Sequence, residues 1–194
     1  MEFTLAKKFQ ILRPNDSLNR IVSEGTFKEN IFEAGDQSMR PNVEQVLKTY
    51  KDSLFRTAFC IVRNPSDAED VVSDVLLKYM DSRKDFENEE HLKAWLIRAT
   101  VNRSRDMMTA FWRRKQTVWD ESILEIPAAE PEDRELIESV LRLPERYREA
   151  IYLYYYEDYS VVEIASMLKV TQSAIKTRLQ RGRAMLKEEL KEDL

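Results

Sequence analysis

Apolar residues recur three and four positions apart in two separate blocks of this chain, and a chain patterned in that way is built from amphipathic helices packed on one another. In the first block Leu47, Tyr50, Leu54, Ala58 and Ile61 mark one helix face, and Val72, Val75, Leu76, Tyr79 and Met80 mark a second. Leu92, Trp95, Leu96 and Ala99 mark a third, which runs on to Phe111 and Lys115. The second block starts beyond Glu132, with Leu136, Val140 and Leu141, followed by a helix that carries Ala150, Ile151 and Tyr154 and has Pro144 in its first turn. A short helix with Ile164, Ala165 and Leu168 then precedes a last one with Ile175, Leu179 and Leu186. Only three of 194 residues are glycine, so little interrupts these segments. The expected fold is all-α, with two small helical modules at 43–115 and 132–190. A flexible linker over 116–131, with Pro127 and Pro131, joins them. Residues 1–42, punctuated by Pro14, Gly25 and Gly35, are expected to be a poorly packed extension with a short helix around Leu18 to Val22.

Helix ends are legible in places. Asn64-Pro65 closes the first helix, and Ser66 with Glu69 three residues on reads as a capping box opening the second. Ser160 with Glu163 forms another such box, and Thr171 is placed to cap the last helix. Between these two, Lys169 stands where a tight turn usually holds glycine, and a left-handed conformation there costs roughly 1 kcal/mol.

Several functional classes lose support. Cys60 is the only cysteine, so no internal disulfide or multi-cysteine metal site can form, and its neighbours Phe59, Ile61 and Val62 mark it as a buried small hydrophobe. His91, the only histidine, reads as a surface helix residue. With no glycine-rich phosphate loop, metal cluster or triad-like set, the residues point to no enzyme, cofactor or small-molecule substrate. No run of about eighteen apolar residues could span a bilayer, and the N-terminus lacks a signal-peptide pattern, so a cytoplasmic protein is expected.

The net charge of −4 conceals alternating blocks. Arg98 to Lys115 holds six basic residues against Asp106 alone, and Lys169 to Lys187 holds six with no acid. Between Asn64 and Glu90 nine acids face three bases, and between Asp120 and Glu138 eight acids face Arg134 alone. Two basic stripes on an otherwise acidic chain imply two polyanion contacts. The second stripe coincides with a sharper pattern. From Ser160 to Arg183, a short helix with the small Ala165 at its crossing point, a turn and a basic helix make a helix-turn-helix. Away from its apolar face, the second helix presents Gln172, Ser173, Lys176, Thr177, Gln180 and Arg181 for base edges. Arg178, Arg183 and Lys187 are set for phosphates.

These residues also carry a family resemblance. Leu143-Pro-Glu-Arg-Tyr-Arg-Glu-Ala-Ile, followed by Ile175-Lys-Thr-Arg-Leu-Gln-Arg-Gly-Arg, resembles region 4 of sigma-70-type transcription initiation factors. Asp67-Ala-Glu-Asp and Ala94-Trp-Leu-Ile-Arg-Ala-Thr-Val-Asn-Arg resemble region 2 of the extracytoplasmic-function (ECF) subgroup. The order is right, with no intervening region 3, and the resemblance spans about residues 43 to 190. Ser73 stands where the family usually has Gln, and Gly182 where it usually has Ala.

The resemblance implies a bacterial factor that binds core RNA polymerase, through the clamp coiled coil and the flap, and recognises −35 and −10 promoter elements while promoting DNA opening. The helix Ser66 to Met80 would dock on the clamp through Asp67, Glu69, Asp70 and Asp74. The first three could merely complement the helix dipole, but Asp74 lies too far along for that. Phe86 and Asn88 in the loop Arg83 to Glu90, with Arg98, Asn102 and Arg103 on the next helix, would capture −10 bases. Trp95 reads as core, while Phe111 and Trp112 are open between packing and strand contact. Lys176, Thr177, Gln180 and Arg181 fall at the −35 groove, in agreement with the helical-face reading. Tyr152, Tyr154, Tyr155, Tyr156 and Tyr159 pack the module or meet a partner. Factors of this subgroup are usually held inactive by an anti-sigma factor, often membrane-anchored. The competing reading is a free-standing helix-turn-helix regulator that binds an operator as a dimer; it would have no need of the first bundle.

Overall fold

The structure is a computed structural model that describes residues 40–113 and 138–192; the expectations for residues 1–39 and for the linker fall outside the described residues. Helices α1 (Val43–Val62), α2 (Pro65–Asp81) and α3 (Glu89–Arg113) form the first module. Helices α4 (Glu145–Tyr155), α5 (Val161–Leu168) and α6 (Gln172–Glu192) form the second, preceded by helical residues 138–142. No strand occurs among the described residues.

Each boundary has a local cause. Asn42 opens α1: its side chain accepts the Gln45 N–H while Gln45 reaches back to the Asn42 N–H, a reciprocal pair that satisfies two orphan donors. Residues 40–42 therefore belong to the packed bundle and not to a loose extension. Arg40 stacks over the Tyr79 ring at 4.1 Å and hydrogen-bonds Ser82, while the Tyr79 hydroxyl donates to the Pro41 carbonyl at 2.5 Å. Helix α1 ends at Arg63 in a left-handed conformation. The cap of α2 is Asn64, not Ser66: Asn64 Oδ1 accepts the Asp67 N–H at 3.0 Å, and Pro65 follows in the first turn. Proline needs no N–H partner there and has the helical φ built in, so the helix starts two residues earlier than the Ser66–Glu69 spacing indicates. Similarly, Pro144 stands just outside α4, where its carbonyl accepts the Tyr147 and Arg148 N–H groups.

The helix-turn-helix forms as its pattern dictates. Ser160 and Glu163 make the capping box of α5, Lys169 takes a left-handed φ of 54°, and Thr171 Oγ1 accepts the Ala174 N–H at 3.2 Å. Ala165 is buried at the crossing of α5 and α6.

In the first module α1 packs on both α2 and α3, and α2 packs on α3. The core comprises Val46, Leu54, Ala58, Val71, Val75, Tyr79, Leu92, Leu96 and their neighbours. In the second module α4 and α5 both pack on α6, with Ile151, Leu153, Ile164, Leu168, Ile175 and Leu186 almost fully buried. The modules also pack on each other, α1 against α4 and α3 against α5.

Gly182 marks the closest approach of α6 to α4. A Cβ built there would lie 2.8 Å from Ile151 Cγ1 and 3.2 Å from its Cδ1. The glycine thus accepts a helix-propensity penalty in return for a tighter interaxial distance. Gly182→Ala should lower stability despite alanine's better propensity. Overpacking of about 1–3 kcal/mol outweighs a propensity gain of about 1 kcal/mol. Thermal unfolding followed by circular dichroism should show a fall of a few degrees, and a rise would mean that Ile151 moves aside freely.

Candidate nucleic-acid and polymerase interfaces

The sharpest surface feature is the outer face of α6. Ile175, Leu179, Gly182 and Leu186 are buried, and this orients Gln172, Ser173, Lys176, Thr177, Gln180 and Arg181 into solvent. Thr177 Oγ1 donates back to the Ser173 carbonyl at 3.0 Å, so its remaining capacity outward is as an acceptor. Arg181 lies against the Tyr147 hydroxyl and, with Arg146, holds that phenol below its ordinary range. A planar guanidinium with five donors retains enough of them beside that phenol for bidentate contact with a guanine edge. Arg178 is half-buried and its charge acts on Glu149, which places it nearer the body of the module than Lys176 or Arg181. Arg183 Nη1 reaches the Tyr155 hydroxyl at 3.5 Å, and Lys187 is exposed. The tyrosines pack the module: Tyr152, Tyr155 and Tyr159 are buried, Tyr152 stacks on Tyr156, and Tyr154 lies edge-on to Tyr155.

On α2, Glu69 and Asp70 are exposed and Asp67 is half-buried. Loss of solvent raises the Asp67 pKa, and the neighbouring Asp70 raises it further. Asp74 has a partner that its position in the sequence conceals: its Oδ2 accepts from Arg103 Nε of α3 at 2.6 Å. Its place beyond the first turn therefore has an internal explanation, and two residues expected to serve different partners form one ion pair. Exposed Leu77 and Met80 continue the same helix.

The −10 candidates divide. Phe86 is only 6 % exposed, packed between Tyr79, Trp95 and His91 with ring centroids 5.5–6.0 Å apart. This corrects its assignment to a base-capturing pocket. The loop is short and tucked against α2 and α3, so its one large apolar side chain is drawn into the core. Asn88 is exposed and caps α3, accepting the His91 N–H at 2.8 Å. Arg98 and Arg103 are exposed on α3 and Asn102 is half-exposed. Trp95 packs on the core as expected, whereas His91 is half-buried, its ring edge-on to Phe86 and its Nδ1 3.4 Å from the Glu87 N–H.

Sequence reasoning missed the charged residues buried between the modules. Arg148 donates to the carbonyls of Cys60 (2.5 Å), Leu143 (2.8 Å) and Leu141 (3.1 Å). Glu157 accepts from Ser53, Thr57 and Tyr152 and pairs with Lys93 at 3.3 Å. Arg105, from the first basic stripe, donates to the Leu168 carbonyl at the end of α5 (2.9 Å) and stands 3.8 Å from Glu149. The signal was present in α4, whose run from Ala150 to Tyr156 is apolar or aromatic on every side; such a helix is covered all round. Among the described residues no three or more His, Cys, Asp and Glu side chains are grouped to hold a metal ion. No helix there is long and apolar enough to cross a membrane.

With this geometry in place, comparison with known proteins defines the class. Residues 46–117 match the family model for sigma-70 region 2, and residues 133–186 match the model for sigma-70 region 4. The RNA polymerase sigma factor SigV of Bacillus subtilis is 31 % identical over 150 residues, covering 75 % of this chain and 89 % of that protein. The ECF sigma factor SigW of the same organism is 23 % identical over 175 residues, covering 81 % and 92 %. Among solved structures, the sigma factor RpoE of Bartonella quintana in complex with the anti-sigma factor NepR aligns with a TM-score of 0.64 at 28 % identity, covering 78 % of this chain and 98 % of that one. CnrH in complex with the cytosolic domain of CnrY aligns with a TM-score of 0.54 at 25 % identity, covering 78 % and 89 %. The chain belongs to the sigma-70 family of RNA polymerase sigma factors, in its ECF subgroup, and its function is in transcription initiation.

The buried carboxyl of Glu149 gives the second module a pH signature. Its Oε1 accepts no hydrogen bond, and loss of solvent pushes its pKa up to about 7, against the lowering effect of Arg105. Glu145 adds to the rise, and Arg178 and Arg148 oppose it. A raised acid pKa favours the folded state while the group is protonated, so this contribution is lost as pH rises through about 7. Between pH 5 and 8 the wild type should lose about 2 kcal/mol relative to Glu149→Gln. Denaturant titrations at both pH values measure the difference, and parallel pH profiles for the two proteins would exclude Glu149 as its source.

Proposed function

We propose that the two modules divide promoter recognition, with α6 reading the −35 major groove and α3 with its preceding loop engaging the −10 element. The observation that carries this reading is the outer face of α6: six donor and acceptor side chains exposed along one side of a helix whose opposite side is buried. Gln172, Ser173, Lys176, Thr177, Gln180 and Arg181 contact base edges, and Arg178 approaches the phosphate backbone. On the first module Asn88, Arg98, Asn102 and Arg103 contact the −10 strand; Phe86 shapes the loop from within.

The acidic end of α2, with Asp67, Glu69 and Asp70, docks on the clamp coiled coil of core RNA polymerase. Asp74 contributes there while bridging to Arg103, and the second module meets the flap. An anti-sigma factor is the expected negative regulator, since RpoE is seen in complex with the anti-sigma factor NepR; anchoring of such a partner would bring the chain to a membrane with no spanning helix among the described residues.

Run-off transcription with purified core enzyme tests the reading as a whole, with a gel shift on the same promoter with and without core. Promoter-dependent transcripts are expected only with the factor, and tight sequence-specific binding by the isolated chain would favour a free-standing regulator. Arg181→Ala should cost about 1–3 kcal/mol at its base contact and relax −35 preference, whereas equal losses on all sequences would make it a phosphate contact. Glu69→Lys with Asp70→Lys should weaken core binding without altering the melting curve. These exposed positions are cleaner probes than Asp74, whose replacement also strands Arg103. Unchanged core affinity would remove the acidic end of α2 from the polymerase interface.

A further inference from the structure

Tyr147 makes two kinds of contact, and packing explains only one of them. It lies in the first turn of α4, where that helix meets α6 at its closest approach: a Cβ built on Gly182 would lie 3.5 Å from Tyr147 Cβ. The side chain is almost wholly covered, and the ring accounts for that burial. The hydroxyl has a different neighbour. It accepts a hydrogen bond from the guanidinium of Arg181, the residue beside Gly182, while the Arg146 guanidinium lies over the ring at 4.8 Å. Both arginines hold the phenol below its ordinary range, Arg181 through its hydrogen bond most of all, as expected of an oxygen flanked by cationic donors. Three side chains from two helices thus form one cluster at the edge of the exposed face of α6.

The chemistry of arginine makes the hydroxyl contact consequential. A long, rotamer-rich side chain must be ordered before it can present its fork to a base, and that ordering subtracts from affinity. Tyrosine is a stiff support with few torsions of its own, and here its ring is wedged between α6 and Arg146. One N–H given to the phenol leaves Arg181 the other donors of its fork. Anchoring also limits the alternatives. An arginine free to swing exchanges an unsuitable base edge for a nearby phosphate and loses little by it. One tied to its own module cannot follow, so a wrong base leaves it unpaired, and discrimination rises.

We infer that Tyr147 is a positioning residue for −35 recognition: its hydroxyl holds Arg181 in the conformation that reads a base edge and so sets how strictly one base pair is read. The inference rests on the −35 reading of α6 given above, and it adds a residue of α4 that lies outside the helix-turn-helix. Gly182 belongs to the same arrangement, since the short distance between α4 and α6 is what brings the hydroxyl within reach of the guanidinium.

Two measurements on the intact chain test this. In the protein without DNA, nitrogen relaxation by NMR should show the Arg181 guanidinium more ordered than that of the exposed Arg98. Tyr147→Phe, which removes only the oxygen, should release it to the Arg98 value. With core enzyme added, selection from promoter fragments randomised over the −35 element should reveal one base pair whose preference Arg181→Ala abolishes. Tyr147→Phe should weaken the preference at that same base pair about threefold to tenfold, the worth of one pre-ordered side chain, and leave the other positions unchanged. Added to Arg181→Ala, it should have no further effect on base preference. A role in packing alone produces equal losses at every position, and that result overturns the inference. So does an Arg181 as mobile as Arg98 in the wild-type chain, a comparison that holds even if Tyr147→Phe lowers the melting temperature. If Arg181→Ala flattens no position, the base assignment of Arg181 falls and the specificity role of Tyr147 falls with it. The relaxation data involve no DNA, so they show separately whether the hydroxyl orders the guanidinium.

Discussion

The arrangement depends on how one helix is satisfied from all sides. Helix α4 gives its apolar residues to α6 and α5 on one side and to α1 on the other, and it carries a buried arginine and a buried glutamate. A guanidinium removed from water is tolerable only when its N–H groups are spent, and Arg148 spends them on three carbonyls from three segments: the end of α1, residue 141, and Leu143 before Pro144. That side chain therefore organises the entry into the second module and its seat on the first at once. Glu149 beside it is the less satisfied partner, and its burial raises the pKa of its carboxyl.

The same economy of partners explains the chain's unusual charge distribution. A DNA-binding protein with net negative charge has few cations to spare, and several of those in the basic stripes are engaged internally. Arg105 ties the modules together, Arg103 balances Asp74, and Arg178 faces Glu149. Among the described side chains, the cations left facing solvent on α6 are Lys176, Arg181, Arg183 and Lys187. Affinity for DNA rises steeply with the number of phosphates neutralised. On the proposed reading, a factor whose cations are partly engaged internally relies on the polymerase for the remainder of its contact with a promoter.

How much of this was legible in the sequence depends on the distance over which each signal acts. The helices, the Ser160–Glu163 box, the Thr171 cap and the left-handed Lys169 are set by residues within four positions of one another, and they were readable. So was the division of α6 into buried and exposed faces, because 3.6-residue periodicity fixes it. Ser66 misled because two capping signals overlap, and the Asn64–Pro65 pair wins by placing proline in the first turn. Phe86 misled for a different reason: a loop aromatic reads equally as a contact or as an anchor, and only the positions of Tyr79 and Trp95 decide. The Asp74–Arg103 pair and the Glu157 cluster join residues 29 to 104 positions apart, a range at which composition and periodicity are silent. The family resemblance supplied roles for many of these residues, but it did not indicate which of them were already engaged with one another.

The contact at Gly182 bears on how sequences of this kind can drift. The height of the recognition helix above the rest of its module is set by a notch that admits no methyl group while isoleucine stands at 151. Positions 151 and 182 are thus two halves of one spacer. A relative carrying alanine at the second would need a slimmer or differently branched side chain at the first, or its reading helix would ride higher on the module. Exchange of α6 alone between such factors, to test whether it transfers promoter preference, would then import a mismatch on its buried side. A graft that includes both positions would keep the height of α6 above its module.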